Sequence, residues 1–116
     1  MTMTLATPVR WAAACRLDDL LPERGVAALF GATQVALFRL PGDVLYAIGN
    51  RDPICGAHVL SRGIVGTRGG ATVVVSPMHK QAYDLATGEC LDAPGVSVPV
   101  YPARVENGVV EVAVPR

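Results

Sequence analysis

The sequence predicts an all-β protein, built as an antiparallel barrel or sandwich. Apolar runs of strand length recur every 8–12 residues or so, and turn residues separate them. Near the C-terminus, two such runs flank Asn107-Gly108, a dipeptide that fits the positive φ angles of a tight hairpin turn. These observations favour one β-domain over residues 9–116, preceded by a flexible tail at 1–8.

The first half of the domain reads as a meander of strands. Residues 9–14 form the first strand, and residues 16–22 form one helical turn that Pro22 closes. The next strands are predicted at 26–30, 34–39 and 44–48, with turns between them at 31–33 and 41–43.

The second half is predicted to insert a two-loop subdomain, at about 49–85, before a closing hairpin. Its elements are a first loop at 49–60, strands at 64–67 and 72–75, a second loop at 76–80 and a strand at 81–85. After a turn at 93–95, two strands at 98–105 and 109–114 return to the meander.

Composition excludes two classes of partner. The formal net charge is zero, and no Lys or Arg cluster forms the basic stripe that nucleic-acid binding needs. No apolar run approaches the roughly 20 residues of a membrane-spanning helix. The three cysteines are widely spaced and no signal peptide is apparent, so we expect a reduced, cytoplasmic protein.

Two loop stretches carry the most specific motifs. Residues 50–60 read Asn-Arg-Asp-Pro-Ile-Cys-Gly-Ala-His-Val-Leu, and residues 76–89 begin with Ser-Pro-Met-His and end with Thr-Gly-Glu. These stretches resemble the two cluster-binding loops of Rieske iron–sulfur proteins, Asn-x-Cys-Pro-His-x-Gly-Ala-x-Leu and Cys-Pro-x-His followed by an aromatic-Asp strand. The resemblance implies a Rieske-like fold with a larger β-base below a two-loop subdomain.

The four ligand positions of a Rieske cluster are mostly replaced. A Rieske cluster needs two cysteine thiolates and two histidine imidazoles. In the register of the resemblance, these positions are occupied by Asp52, Ile54, Ser76 and His79. Aspartate and serine offer hard oxygen atoms where soft thiolate is required, and isoleucine offers no ligand. We therefore predict no [2Fe–2S] cluster and no cofactor in this chain.

A relocated metal site is the alternative. Cys55, His58, His79 and Cys90 together supply the inventory of a structural zinc site. However, His79 and Cys90 are separated by a predicted strand and turn, unlike the compact second pair of zinc ribbons. The competing interpretation makes both cysteines small semi-buried residues and both histidines loop side chains.

No residue pattern indicates independent catalysis. The chain lacks a phosphate-cradling glycine loop, and Gly66-Thr67-Arg68-Gly69-Gly70 is predicted to be a hairpin turn. The Cys and His residues are too few and too unspecific to indicate a nucleophile with its base.

Three further short motifs resemble one particular family of Rieske-like proteins. Leu60-Ser61-Arg62-Gly63, Ser76-Pro77-Met78-His79-Lys80-Gln81 and Pro99-Val100-Tyr101-Pro102 are similar to the small subunit of assimilatory NAD(P)H-dependent nitrite reductase. That family comprises Rieske-like domains that commonly lack the cluster ligands. The resemblance implies a non-catalytic subunit that binds the large subunit of the enzyme. The large subunit would carry flavin, an iron–sulfur cluster and sirohaem, and would reduce nitrite to ammonia.

The tips of the two loops are the predicted docking face. A mixed-charge group of side chains is expected there, where a cluster cap would meet its redox partner. The group comprises Arg51, Asp52, His58, Arg62, His79, Lys80 and Gln81. Two other functions stay open at this point: a Rieske-type ferredoxin that carries electrons, and a stand-alone Rieske-like binding domain.

Overall fold

A computed structural model describes residues 9–115. The predicted tail at 1–8 and Arg116 lie outside the described residues. The strands are β1 Val9–Arg16, β2 Gly25–Phe30, β3 Thr33–Leu40, β4 Val44–Gly49, β5 Ile64–Arg68, β6 Ala71–Val75, β7 Ala82–Asp84, β8 Val100–Tyr101, β9 Ala103–Glu106 and β10 Val109–Pro115. Short 3-10 turns occur at Leu17–Asp19 and Leu60–Arg62. Within 9–115, no helix is long and apolar enough to span a membrane.

The strands form three antiparallel sheets, which confirms the predicted all-β class. One sheet has the order β1-β10-β9, the second β2-β3-β4-β8, and the third β5-β6-β7. The third sheet is the inserted subdomain, because it lies between β4 and β8 in the chain. The first two sheets form the β-base.

The central strand β3 is buried on both faces. Its Val35 and Leu37 pack with β1 and β10 in one core cluster, whereas Ala36 and Phe38 pack with subdomain residues in a second cluster. Side chains alternate across a strand, so an uninterrupted apolar run supplies both faces at once. This strand therefore connects the core of the base to the core beneath the loops.

The prediction of a single strand at 98–105 is wrong. The segment divides into β8, where Tyr101 pairs with Ala47 of β4, and β9, where Ala103 pairs with Val112 of β10. Pro102 lies between them and has no N–H to donate to a ladder. The chain thus changes sheets at this proline, and its carbonyl accepts a hydrogen bond from the Ala113 N–H at 2.9 Å.

The helical turn is also shorter than predicted, whereas the C-terminal hairpin is confirmed. Only Leu17–Asp19 is helical, and Pro22 instead forms a bridge beside Arg39. In the hairpin, Asn107 and Gly108 have φ angles of 52° and 78°, as a tight primed turn requires.

Candidate functional site

Loop one, residues 50–59, leaves β4 and closes on itself. The Asp52 N–H donates to the Ala57 carbonyl at 2.8 Å, and the Gly56 N–H donates to the Asp52 carbonyl at 2.7 Å. Gly56 has a φ of 80°, a conformation that glycine adopts without steric cost. These bonds therefore fix the backbone of Asp52 within the loop.

Loop two, residues 76–81, is a similarly closed turn. The Ser76 N–H donates to the Gln81 carbonyl at 2.9 Å, and the Lys80 N–H donates to the Ser76 carbonyl at 3.0 Å. The turn requires a φ of 62° at Lys80, which is unusual for a residue with a Cβ atom. The backbones of Ser76 and Lys80 are thus joined where the turn closes.

The two loops meet through a buried carboxylate. Ser76 Oγ donates a hydrogen bond to Oδ2 of Asp52 at 2.5 Å. The other carboxylate oxygen, Oδ1, accepts from the Tyr83 hydroxyl at 2.8 Å and from the Ile54 N–H at 2.9 Å. Asp52, Ser76 and Tyr83 are all fully buried. We call Asp52, Ser76 and Tyr83 the interloop network.

The network favours a charged Asp52. Burial raises the pKa of the Asp52 carboxyl, but hydrogen bonds from Ser76, the Ile54 N–H and Tyr83 outweigh burial and bring the pKa below its ordinary 3.8. Burial, together with the hydrogen bond to Asp52 and its negative charge, raises the pKa of Tyr83 well above 10.0. The carboxylate therefore accepts and the phenol donates throughout the neutral pH range.

The residues at the Rieske ligand positions do not fit a [2Fe–2S] cluster. Asp52 and Ser76 stand where thiolates are needed, and they are hydrogen-bonded to each other. Ile54 has no ligating atom, and its side chain is 39% exposed. His79 is exposed at the surface of loop two. A cluster with two thiolates and two imidazoles has one matching donor here.

The four residues of the zinc alternative lie in different environments. Cys90 is buried in the core cluster beneath the loops, Cys55 is half-buried, and His58 and His79 are exposed. Across residues 9–115, no group of three or more His, Cys, Asp or Glu side chains is placed to hold a metal ion.

The structure divides the residues of the predicted docking face. Five of them are exposed at the loops and the adjoining Leu60–Arg62 turn: Arg51, His58, Arg62, His79 and Lys80. Gln81 is half-buried, and its Oε1 atom has no hydrogen-bond partner among the described residues. Asp52 is fully buried, so its carboxylate faces Ser76 and Tyr83 and not the surface.

Sequence reasoning missed the roles of Tyr83 and Asn50. Tyr83 and Asp84 are the aromatic-Asp pair of the second loop motif, and the motif gives no role to the Tyr83 hydroxyl. Asn50 is buried, and its Oδ1 accepts from the Ser61 N–H at 2.8 Å. This bond connects loop one to the Leu60–Arg62 turn, so the first residue of the loop motif orients the turn that carries Arg62.

Packing explains two residues of the Leu60-Ser61-Arg62-Gly63 motif. Leu60 is fully buried in the cluster beneath the loops. A Cβ atom at Gly63 would lie 2.5 Å from the Val75 carbonyl oxygen, so a side chain at this position would displace the subdomain sheet. The motif thus seats the turn directly against β6.

The comparisons with known proteins agree with this fold and these loops. Residues 10–113 match the family model described as a Rieske-like [2Fe-2S] domain. The chain is 45% identical over 103 residues to the nitrite reductase (NADH) small subunit of Escherichia coli K12, covering 88% of this chain and 95% of that protein. The chain belongs to the nitrite reductase small-subunit family. The resemblance to the nitrite reductase small subunit is therefore confirmed.

Two further relatives of the small-subunit family are informative. One is a crystal structure from Mycobacterium tuberculosis that is provisionally described as an NADH-dependent nitrite reductase small subunit. It superposes on this chain with a TM-score of 0.88 at 54% identity, and the match covers 92% of this chain and 96% of that one. The nitrite reductase [NAD(P)H] large subunit of Klebsiella oxytoca is 44% identical over 104 residues, which are 89% of this chain and 11% of that protein. One long polypeptide therefore contains a segment similar to this small-subunit chain.

Proposed function

We propose that this chain is the non-catalytic small subunit of an NAD(P)H-dependent nitrite reductase, and that it binds the large subunit and supports its activity or assembly. The observation that carries the proposal is the Klebsiella protein, a named large subunit with a segment similar to nearly all of this chain. Because that protein carries the segment within one polypeptide, we infer that a separate chain of this kind binds the rest of a large subunit.

The proposal assigns no cofactor to this chain. An electron carrier of the Rieske type needs four ligands, and only His79 has the required chemistry. The two oxygen side chains at the thiolate positions are instead used to connect the loops. Flavin, iron–sulfur cluster and sirohaem chemistry would then belong to the large subunit, and this chain would contribute binding surface.

The proposed contact surface is the exposed part of the loops. It comprises Arg51, His58, Arg62, His79, Lys80 and the accessible part of Gln81. Because the interloop network fixes the bases of both loops, these side chains leave from a rigid platform, which reduces the conformational entropy lost on binding.

The direct test combines binding with activity. The full chain is titrated into purified large subunit, the dissociation constant is measured calorimetrically, and nitrite reduction is followed with NADH and with NADPH. We expect saturable binding with faster turnover or a longer active lifetime of the large subunit. No binding and no change in either rate or lifetime would refute the proposal.

A second test addresses the cofactor assignment. The purified chain is examined by visible spectroscopy, and its iron and zinc contents are quantified in the same sample. We expect a colourless folded protein without stoichiometric metal. Stoichiometric iron with a Rieske-type spectrum would make the chain an electron carrier, and stoichiometric zinc would identify Cys55, His58, His79 and Cys90 as a structural site.

A further inference from the structure

Charge is distributed unevenly between the loops and the rest of the molecule. We define the loop end as residues 50–62 and 76–81, that is, loop one with the Leu60–Arg62 turn and loop two. It contains three of the ten Lys and Arg residues, Arg51, Arg62 and Lys80, and both histidines. Of the ten Asp and Glu residues it contains only Asp52. The remainder of the chain therefore has an excess of acidic groups.

Burial makes the surface of the loop end entirely basic. Asp52 is fully buried and accepts hydrogen bonds from three donors, so it offers no carboxylate to a partner. The three ion pairs among residues 9–115 join Arg39 to Asp43, Arg68 to Asp92 and Arg104 to Glu111, all outside the loop end. The exposed charges of these two segments are thus all cationic, and outside them the exposed Glu23 lines a neighbouring cleft together with Arg62.

Two apolar side chains of the loop end are also exposed. Ile54 is 39% exposed and Met78 is 53% exposed. Each lies two residues beyond a member of the interloop network, Ile54 after Asp52 and Met78 after Ser76. The bond between those members joins the bases of the two loops that carry these side chains. An apolar centre with a charged rim is the usual anatomy of a protein interface.

A cleft adjoins loop one and has the same sign of charge. Its volume is about 400 Å³, and its lining includes Arg51, His58, Ser97 and Tyr101. The isolated bridge between Arg51 and His58 places these two side chains beside each other. No Asp or Glu of the described chain lines this cleft, so its donors suit a carboxylate.

We propose that the loop end docks onto an acidic face of the large subunit. Ile54 and Met78 pack at the centre of the contact, Arg62 and Lys80 face carboxylates at its rim, and the cleft beside Arg51 and His58 receives one acidic side chain. The proposal rests on the proposed function and adds to it the sign of the partner surface and the side chains that anchor it.

The test compares charge-matched variants of the full chain at low and high salt. Arg62→Glu/Lys80→Glu reverses two cations of the loop end, and Arg10→Glu/Arg16→Glu reverses two exposed cations of β1, with the same change in net charge. We expect the first variant to lose about tenfold in affinity for the large subunit and most of its salt dependence, and the second to change less than about twofold.

Two further variants test the anchors. Ile54→Ser/Met78→Ser is expected to weaken binding about tenfold at both salt concentrations, because apolar burial is not screened. Arg51→Gln/His58→Gln is expected to weaken binding mainly at low salt. As a folding control, the amide NMR spectrum of each variant is compared with that of the wild-type chain.

The outcomes separate the two proposals. Wild-type chain that fails to bind at any salt concentration overturns the proposed function. Wild-type chain that binds with no salt dependence, or equal losses in the loop-end and β1 charge variants, overturns the acidic-partner inference and leaves the proposed function standing. Full affinity in Ile54→Ser/Met78→Ser or in Arg51→Gln/His58→Gln overturns the corresponding anchor.

Discussion

The Tyr83 hydroxyl donates a hydrogen bond to Oδ1 of Asp52 at 2.8 Å, and both residues are fully buried. Asp52 belongs to loop one and Tyr83 to the last strand of the subdomain sheet. With Ser76 bonded to the other carboxylate oxygen, one side chain joins three separate segments. Hydrogen bonds between protein side chains therefore connect the bases of the two loops.

Replacing Asp52 should weaken the whole fold. Asp52→Asn keeps the shape of the side chain but removes the charge, and places an amide donor toward the Ser76 or Tyr83 hydroxyl. We expect a loss of about 2 kcal/mol in the free energy of unfolding, because a buried donor loses its acceptor. Urea denaturation measures this loss.

The matched control for this substitution is Asp43→Asn. It removes the same charge from a surface pair with Arg39, in which the Asp43 side chain is 55% exposed. A change below about 0.5 kcal/mol is expected there. Equal effects at the two positions would contradict a special role for the buried carboxylate.

Acid should remove the contribution of Asp52. The pKa of Asp52 in the folded protein lies below its ordinary 3.8, so the stabilisation is complete above about pH 5 and is lost as the pH falls through 3.8 towards the folded pKa. The difference in unfolding free energy between wild type and Asp52→Asn should thus shrink below about pH 4.

Asp92 also makes the folded protein less stable in acid, so its effect is measured with a separate variant. The hydrogen bonds from Arg68 and from the Ala82 N–H lower the pKa of Asp92 to about 2. Asp92→Asn should therefore remove a different part of the acid dependence and leave the Asp52 part intact. A wild-type stability curve parallel to that of Asp52→Asn from pH 7 to about pH 2 would contradict the lowered pKa of Asp52.

High pH should remove the contribution of Tyr83 to the free energy of unfolding. Its folded pKa is raised above 10.0 by burial and by Asp52, so the stabilisation is present below pH 10 and declines as the pH rises towards the folded pKa. Tyr83→Phe should be less stable than wild type at pH 7, and its stability should fall less between about pH 9 and 12. Stability curves that run parallel over this range would refute the raised pKa.

Gly88 should be far less tolerant than Gly95, although their backbones are alike. Their φ angles are 81° and 82°. A Cβ atom at Gly88 would lie 2.2 Å from the Val98 carbonyl oxygen, whereas a Cβ atom at Gly95 would have no atom within 4 Å beyond its chain neighbours. We expect Gly95→Ala to cost about 1 kcal/mol from backbone conformation alone, and Gly88→Ala about 3 kcal/mol or more from the added clash.

Thermal or urea unfolding of both glycine variants tests this difference. The paired design isolates the steric effect, because the conformational penalty is common to both positions. Similar losses of unfolding free energy in the two variants would contradict the prediction, because the backbone at Val98 would then move away from the new Cβ atom without cost.

Local sequence signals determined the parts of the fold that depend on neighbouring residues. Asn107-Gly108 predicted its hairpin because the turn needs two positive φ angles in succession. The prediction of one strand at 98–105 was wrong because apolar residues continue past Pro102. The change from one sheet to the other depends on pairing with β4 and β10, which lie far away in the sequence.

The candidate site could be predicted in part for the same reason. The register of the two loops identified Asp52 and Ser76 as replaced ligand positions. Their hydrogen bond joins residues 24 positions apart, and it forms only when the loops are brought together by the packing of Leu60 and Tyr83 beneath them. Sequence spacing carries no signal for that contact, nor for the burial that removes Asp52 from the surface.

The pairing of Val9 with Pro115 places the first and last strands of the described chain side by side in one sheet. A domain built in this way can be joined to another polypeptide through a single linker, without moving a strand out of the core. Gene fusion and gene splitting are therefore both compatible with this architecture. The Klebsiella large subunit, which carries a similar segment within one long polypeptide, is an example of such a joined arrangement.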